Sequence, residues 1–233
     1  MAADDPAPAR IEELERPIAR IRRRQRRNER AAWANGFLTD VTGMLKPGDI
    51  AIDCGANAGD ISDKLLSSGA EVIAFDPEQW AHEKLTARFA ANPRFTLHPV
   101  AVGTAPGTVR LMRASNFSEN EALGSVKSTI VAGGRNIDED CGNSIEVAQI
   151  DFIAFLRDLI ATRGEVAFLE IDIEGAELDL IPAIHAAGLF RSIRCTVVET
   201  HERKFRNLRQ DFTKLRDLIA SEYAPSHVNL DWI

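Results

Sequence analysis

Asp53 ends an apolar run, Ile50-Ala-Ile-Asp53, and opens the stretch Cys54-Gly-Ala-Asn-Ala-Gly59. Small residues let a backbone approach a ligand closely, and a helix starting near Gly59 offers unpaired N–H groups to it. A carboxylate ahead of such a loop repels a pyrophosphate and suits an ammonium or sulfonium group. The second glycine of the dinucleotide pattern G-x-G-x-x-G is also missing. Without a ligand the same residues make a tight strand–helix turn.

Asp76 follows a second run, Val72-Ile-Ala-Phe75, and precedes Pro77, 23 residues after Asp53. A carboxylate at that place in an open α/β sheet accepts hydrogen bonds from ribose hydroxyls. Its bland alternative is a helix N-cap, with Pro77 at the first helical position. A third run, Phe168-Leu-Glu-Ile171, leads into Asp172-Ile-Glu174-Gly-Ala-Glu177. Asp172 and Glu174 would point the same way if the strand continued, raising one another's pKa or sharing a cation; helix-dipole duty competes for Glu174 and Glu177. A fourth run, Cys195-Thr-Val-Val198, ends in Glu199-Thr-His201-Glu202. His201 titrates near neutrality and is a candidate base or metal ligand, with Glu199 beside it to orient the ring or join a cation site. A loop histidine without a role is the competing view. His98, before Pro99, reads as structural.

These groups need a scaffold that brings strand ends to one edge. Short β-rich runs at Ile50–Cys54, Glu71–Phe75, Arg94–Leu97, Val166–Ile171 and Ile193–Glu199 alternate with helical patterns at Gly59–Ser68, Pro77–Ala91, Ala176–Ala187 and Phe205–Ser221. Runs apolar on both faces are parallel strands covered by helices, so the fold class is a doubly wound, mostly parallel α/β domain. Helix Asp151–Thr162 leads back to the sheet, and His227–Leu230 is a candidate last strand. Residues 104–150 interrupt the rhythm: Thr108–Met112 and Ser144–Gln149 suggest an inserted hairpin. The polar stretch Asn116–Asn143 between them suggests a lid.

Ahead of this domain, residues 1–47 form a separate extension. Residues 1–9 are rich in Ala, Asp and Pro and are expected to be disordered. Ile11, Leu14, Ile18, Ile21, Gln25, Asn28 and Ala32 follow a helical three-four spacing, with a start or kink expected near Pro17. A second short helix is expected over Phe37–Leu45, before the turn Lys46-Pro-Gly-Asp49. Residues 1–32 hold nine arginines against six acids, whereas the chain as a whole is at −7. The remainder is thus strongly acidic, which argues against nucleic acid as a partner. The Arg-rich face reads as solvated, or as a dimer-forming or docking helix, ahead of contact with an anionic membrane or nucleic acid.

With 45% hydrophobic and 27% charged residues the chain has the balance of a globular protein. No apolar run approaches the roughly 20 residues that cross a bilayer. The first residues lack the apolar core of a signal peptide, so a cytoplasmic location is expected. Cys54, Cys141 and Cys195, odd in number and far apart, exclude a disulfide framework and a four-cysteine zinc site.

Asp53-Cys-Gly-Ala-Asn-Ala-Gly59, Phe75-Asp76-Pro77 and Ile171-Asp-Ile-Glu-Gly-Ala-Glu177 together resemble the signature blocks of the FkbM family of S-adenosylmethionine-dependent methyltransferases, over about residues 48–202. The resemblance implies a class I methyltransferase domain over 48–233 and O-methylation of a sugar, glycan or natural product. It implies that Asp53, Gly55, Asn57 and Gly59, with Ala56 between them, border the methionine end of the cofactor. Asp76, followed by Pro77, would hold the ribose, and Val100-Ala101-Val102 would touch the adenine. Leu123-Gly-Ser-Val126 resembles a small patch near the family's substrate side. The chain departs from the pattern at Glu170, where members usually carry Lys, and at Asp76, where many carry Glu. Its tail is also short for a pair of final strands.

The expected reaction is in-line transfer of a sulfonium methyl to a hydroxyl, with Asp172 or His201 as base and Glu174 beside them. Alternatively Asp172, Glu199 and His201, with Glu174, hold a divalent cation that lowers the hydroxyl's pKa. Two other classes compete: a nicotinamide-dependent oxidoreductase, disfavoured by Asp53 and the missing glycine, and a non-catalytic binding subunit. The expected partner is a small-molecule or glycan acceptor, with a homodimer through the N-terminal helix as a further expectation.

Overall fold

The computed structural model describes residues 7–137, 139 and 142–232, with side chains from residue 15. The chain divides into two compact units, residues up to Val41 and Thr42–Trp232. Cys141 and residues 1–6 of the segment expected to be disordered lie outside the described residues.

The expected pair of N-terminal helices is one helix, α1 (Ala7–Met44), running through Pro17. Proline forfeits one backbone hydrogen bond but its φ is helical, so a long helix tolerates it. Gly36 carries no packing demand that would end the helix there.

In the second unit the short apolar runs form the strands expected of them. The elements are β1 (Ile50–Cys54), α2 (Asp60–Ser67), β2 (Glu71–Phe75), α3 (Gln79–Phe89), β3 (Phe95–His98), β4 (Ala101–Gly103), β5 (Gly107–Leu111), α4 (Glu121–Ser125), β6 (Ile145–Asp151), α5 (Phe152–Arg163), β7 (Phe168–Ile171), α6 (Glu177–Ala186), β8 (Thr196–Glu199), α7 (Arg209–Glu222) and β9 (Val228–Trp232). Six strands form one sheet in the order β3-β2-β1-β7-β8-β9, every neighbour parallel. β1 and β7 are buried along their whole length, as central strands under helices on both faces must be. β9 completes the far edge as one parallel strand, with a register shift between Val197 and Glu199.

The order reverses between β1 and β7, the switch point outside whose carboxyl ends ligands bind in open α/β sheets. The core beneath is built from Phe75, Phe152, Phe168 and Phe190, each at most 1% exposed. Burying each such ring contributes roughly 1.5–3 kcal/mol. His98 stacks on Phe75 at 4.8 Å between ring centroids, the structural role its sequence context suggested.

The insertion has more order than a polar lid. β5 and β6 pair antiparallel from Gly107↔Gln149 to Leu111↔Ile145, and β4 joins β6 in parallel to make a second, three-stranded sheet. Asn120 caps α4 by accepting from Leu123 N–H, and Asp151 caps α5 by accepting from Ala154 N–H. Bridges Met112↔Thr129 and Ala114↔Ile137 tie down what lies between β5 and β6. Pro77 is not the first helical residue: α3 begins at Gln79, with Glu78 as its N-cap position.

Candidate active site

Three loops leave the carboxyl ends of β1, β2 and β7 and surround a cavity at the switch point. Its wall includes Gly55, Asn57, Asp76, Pro77, Ala101 and Asp172, together with Glu78, Ser125, Thr129 and Glu174.

The first loop depends on glycine. Gly55 has φ +95° and a Cβ there would lie 1.8 Å from the carbonyl oxygen of Asp172. Asp172 N–H donates to Cys54 O at 2.8 Å, so the chains leaving β1 and β7 are in backbone contact. Gly59 has φ +83° and a Cβ there would press on Phe89 and Leu85 of α3. Asn57, also left-handed at φ +46°, donates through its side chain to Ser125 Oγ at 3.1 Å.

Asp76 is 5% exposed and accepts N–H of Asn57 and of Glu78, each at 2.8 Å. Burial pushes its pKa up to about 7 even though those two backbone donors pull it down. One carboxylate therefore locks the first loop and the turn into α3, with remaining lone pairs at the cavity wall. Glu78, which the sequence reading passed over, is 3% exposed. It takes a two-pronged contact from Arg113, Nε at 2.9 Å and Nη2 at 2.5 Å, and the guanidinium lies 4.2 Å over the Phe117 ring. Its place two residues after Asp76 was the available signal, but the partner comes from the insertion.

Asp53, Ala56 and Gly59 do not line the cavity. Asp53 is 1% exposed, lies beneath the loop, and accepts Ser62 Oγ at 2.5 Å. Across the sheet its register partner is Glu170, 3% exposed. Burial raises both carboxyl groups, and at Glu170 the charge of Asp53 adds to it and holds the group well above the usual range.

The expectation that Asp172 and Glu174 share a strand face is corrected. β7 stops at Ile171, and Glu174 takes a left-handed φ of +56° that no strand allows. A turn brings the two together instead, around His201. Nε2 of His201 lies 3.3 Å from Glu174 Oε2, 3.5 Å from Asp172 Oδ1 and 4.0 Å from Glu199 Oε1, while Nδ1 lies 3.0 Å from Glu177 Oε1. Lys204 Nζ donates to Glu174 Oε2 and to Lys127 O, both at 2.7 Å. Burial alone would lower the imidazole, but hydrogen bonds and charges of Glu174 and Glu177 outweigh it and push its pKa up to about 11. Burial would raise Glu174, yet His201 and Lys204 hold it low. Asp172 is raised well above the usual range by burial and by Glu199, and Glu199 itself is pushed up by burial to about 7.

Glu177, 0% exposed, and Lys204 thus complete a cluster of which the sequence disclosed Asp172, Glu174, Glu199 and His201. One ligand atom each from Asp172, Glu199 and His201 lies within 4.8 Å of the others, the spacing of a three-ligand cation site. The insertion covers this rim: Thr129 Oγ1 donates to Glu174 O at 2.6 Å, and Arg135 N–H donates to Lys204 O at 3.1 Å.

The family model of the methyltransferase FkbM domain matches residues 53–224. A search of curated proteins returns no match. Among solved structures, a methyltransferase FkbM from Methylobacillus flagellatus KT is 18% identical, with a TM-score of 0.34. The match covers 62% of this chain and 32% of that one, so this chain spans about a third of that protein's length. No helix among the described residues is long and apolar enough to cross a membrane.

Proposed function

The chain belongs to the FkbM methyltransferase family, and on that premise we propose that it is an S-adenosylmethionine-dependent O-methyltransferase acting on a hydroxyl of a sugar, glycan or natural product. The observation that carries this reading is Asp76. It is a buried carboxylate with lone pairs at the wall of a cavity at the sheet's switch point, beside a loop where Gly55 leaves no room for a side chain. A ribose diol supplies donors for the remaining lone pairs of such a carboxylate. S-adenosylmethionine, when bound, supplies a methyl group already activated on sulfur. The residues of this chain have the remaining work of alignment, exclusion of water and proton removal.

Asp172 is the base in this reading. Its side chain is 35% exposed at the cavity wall, with Oδ1 turned to His201 Nε2 at 3.5 Å. His201, in contrast, is clamped between Glu174 and Glu177 as an imidazolium, which can neither accept a proton nor ligate a metal. Its charge offsets part of the rise that burial and Glu199 impose on Asp172. The cation reading of Asp172, Glu199 and His201 requires His201 to shed its proton on binding.

Titration calorimetry with S-adenosylmethionine tests the reading. Binding is expected, with affinity falling as the pH drops below about 7, because protonated Asp76 accepts fewer ribose hydrogen bonds. Asp76→Ala is expected to weaken binding by about 10–100-fold. An unchanged isotherm in a folded Asp76→Ala variant sinks the cofactor assignment.

A further inference from the structure

Residues 15–33 of α1 are exposed apart from the half-buried Ala31, although Ile18 and Ile21 lie among them at 45% and 62% exposure. A helical stretch of this length, about 28 Å, is marginal in water unless one face is packed. We propose that this stretch pairs with a second copy of the chain as a parallel two-stranded coiled coil.

The seam follows a seven-residue repeat. Ile18, Gln25 and Ala32 occupy the first position and Ile21 and Asn28 the fourth, continuing the spacing of Ile11 and Leu14 in the sequence. A shallow groove lies along the same stripe, lined by Ile21, Arg24, Gln25, Asn28, Glu29 and Ala32. Arg16, Arg20, Arg23, Arg26, Arg27 and Arg30 fall away from the seam, where a dimer leaves them in water.

The flanking charges select the partner and its direction. In a parallel pair, Arg24 on one helix meets Glu29 of the other, twice by symmetry, and Arg10 and Glu15 repeat that spacing in the sequence. Gln25 Nε2 donates to Glu29 Oε1 at 2.9 Å within its own helix, which holds that carboxylate beside the seam. An antiparallel pair with the same layers would set Arg24 against Arg24, Arg22 against Arg22 and Glu15 against Glu29. The parallel arrangement also stacks Gln25 on Gln25 and Asn28 on Asn28, where the amides can bond to each other and fix the register.

Sedimentation equilibrium of the full chain tests this. A monomer–dimer equilibrium is expected for the wild type, and Ile21→Asp should abolish it with near-UV circular dichroism unchanged. Arg24→Glu should weaken the dimer about tenfold by turning two attractions into repulsions. The double exchange Arg24→Glu/Glu29→Arg should bring the dissociation constant back to within about threefold of wild type. A wild type monomeric up to about 1 mM overturns the proposal, and so does a dimer indifferent to Ile21→Asp. Failure of the double exchange to rescue overturns the parallel register. A monomer whose N-terminal helix instead binds vesicles containing phosphatidylserine assigns the face to a membrane surface and overturns the dimer.

Discussion

Two groups of carboxylates lie within one strand of each other and are kept in the fold by opposite means. Inside the sheet, Asp53 and Glu170 face each other on β1 and β7, and burial raises both toward the neutral acid. On the rim, Asp172, Glu174, Glu177 and Glu199 gather around His201, with Lys204 on Glu174, and cations balance the charge. Both solutions avoid the cost of several uncompensated charges in a poorly solvated place. They differ in what they leave available. The pair inside the sheet is sealed, whereas the cation-balanced rim keeps Asp172 at the cavity wall, able to gain or lose a proton.

The sharpest way to break that contrast is to silence the rim acid that faces the cavity. Asp172→Asn is expected to lower kcat by about 10²–10⁴-fold, with cofactor affinity within a few-fold of wild type. Intact turnover in this variant would remove Asp172 from the chemistry.

Next comes the cation itself. His201→Gln leaves Glu177 buried without its counter-ion and is expected to cost about 3 kcal/mol of stability by denaturant titration. A midpoint unchanged from wild type would mean that the imidazolium does not hold the rim together.

The smallest effect belongs to the sealed pair and is visible through pH. Glu170 is raised in the folded state, so its contribution is complete below the unfolded carboxyl value near 4.5 and falls away as pH rises toward the folded value. Glu170→Gln cannot ionise. It is expected to gain stability relative to wild type as pH rises from about 5 to about 9, read as a growing difference in Tm. Parallel pH–stability curves for the two proteins would show that Glu170 is not raised in the folded state.

The same contrast explains what was legible in advance. β1 and β2 begin and end at the residues their apolar runs suggested, because a strand buried on both faces tolerates no polar interruption except at its ends. The loop after β1 was legible through Gly55 and Gly59, whose left-handed φ and tight surroundings leave little choice of residue. The division of α1 into two helices was not borne out, since local signals such as Pro17 do not report whether a helix continues past them. Glu177 looked like a helix-start acid, and Lys204 and Glu78 drew no notice. Each takes its role from a partner far along the chain: His201 24 residues on, Glu174 30 residues back and Arg113 35 residues on.

By itself the sequence determined the parallel α/β scheme and the strand ends from which Asp76, Asp172 and Glu199 project. Both follow from periodicity and from glycine's conformational freedom, which act within a few residues. Only the tertiary structure decided which acids are charged. That depends on Glu170 meeting Asp53 across two strands, on β7 ending one residue before Asp172, and on His201 arriving between Glu174 and Glu177. Electrostatic energies depend on distance and burial, which come into being only when separate strands assemble.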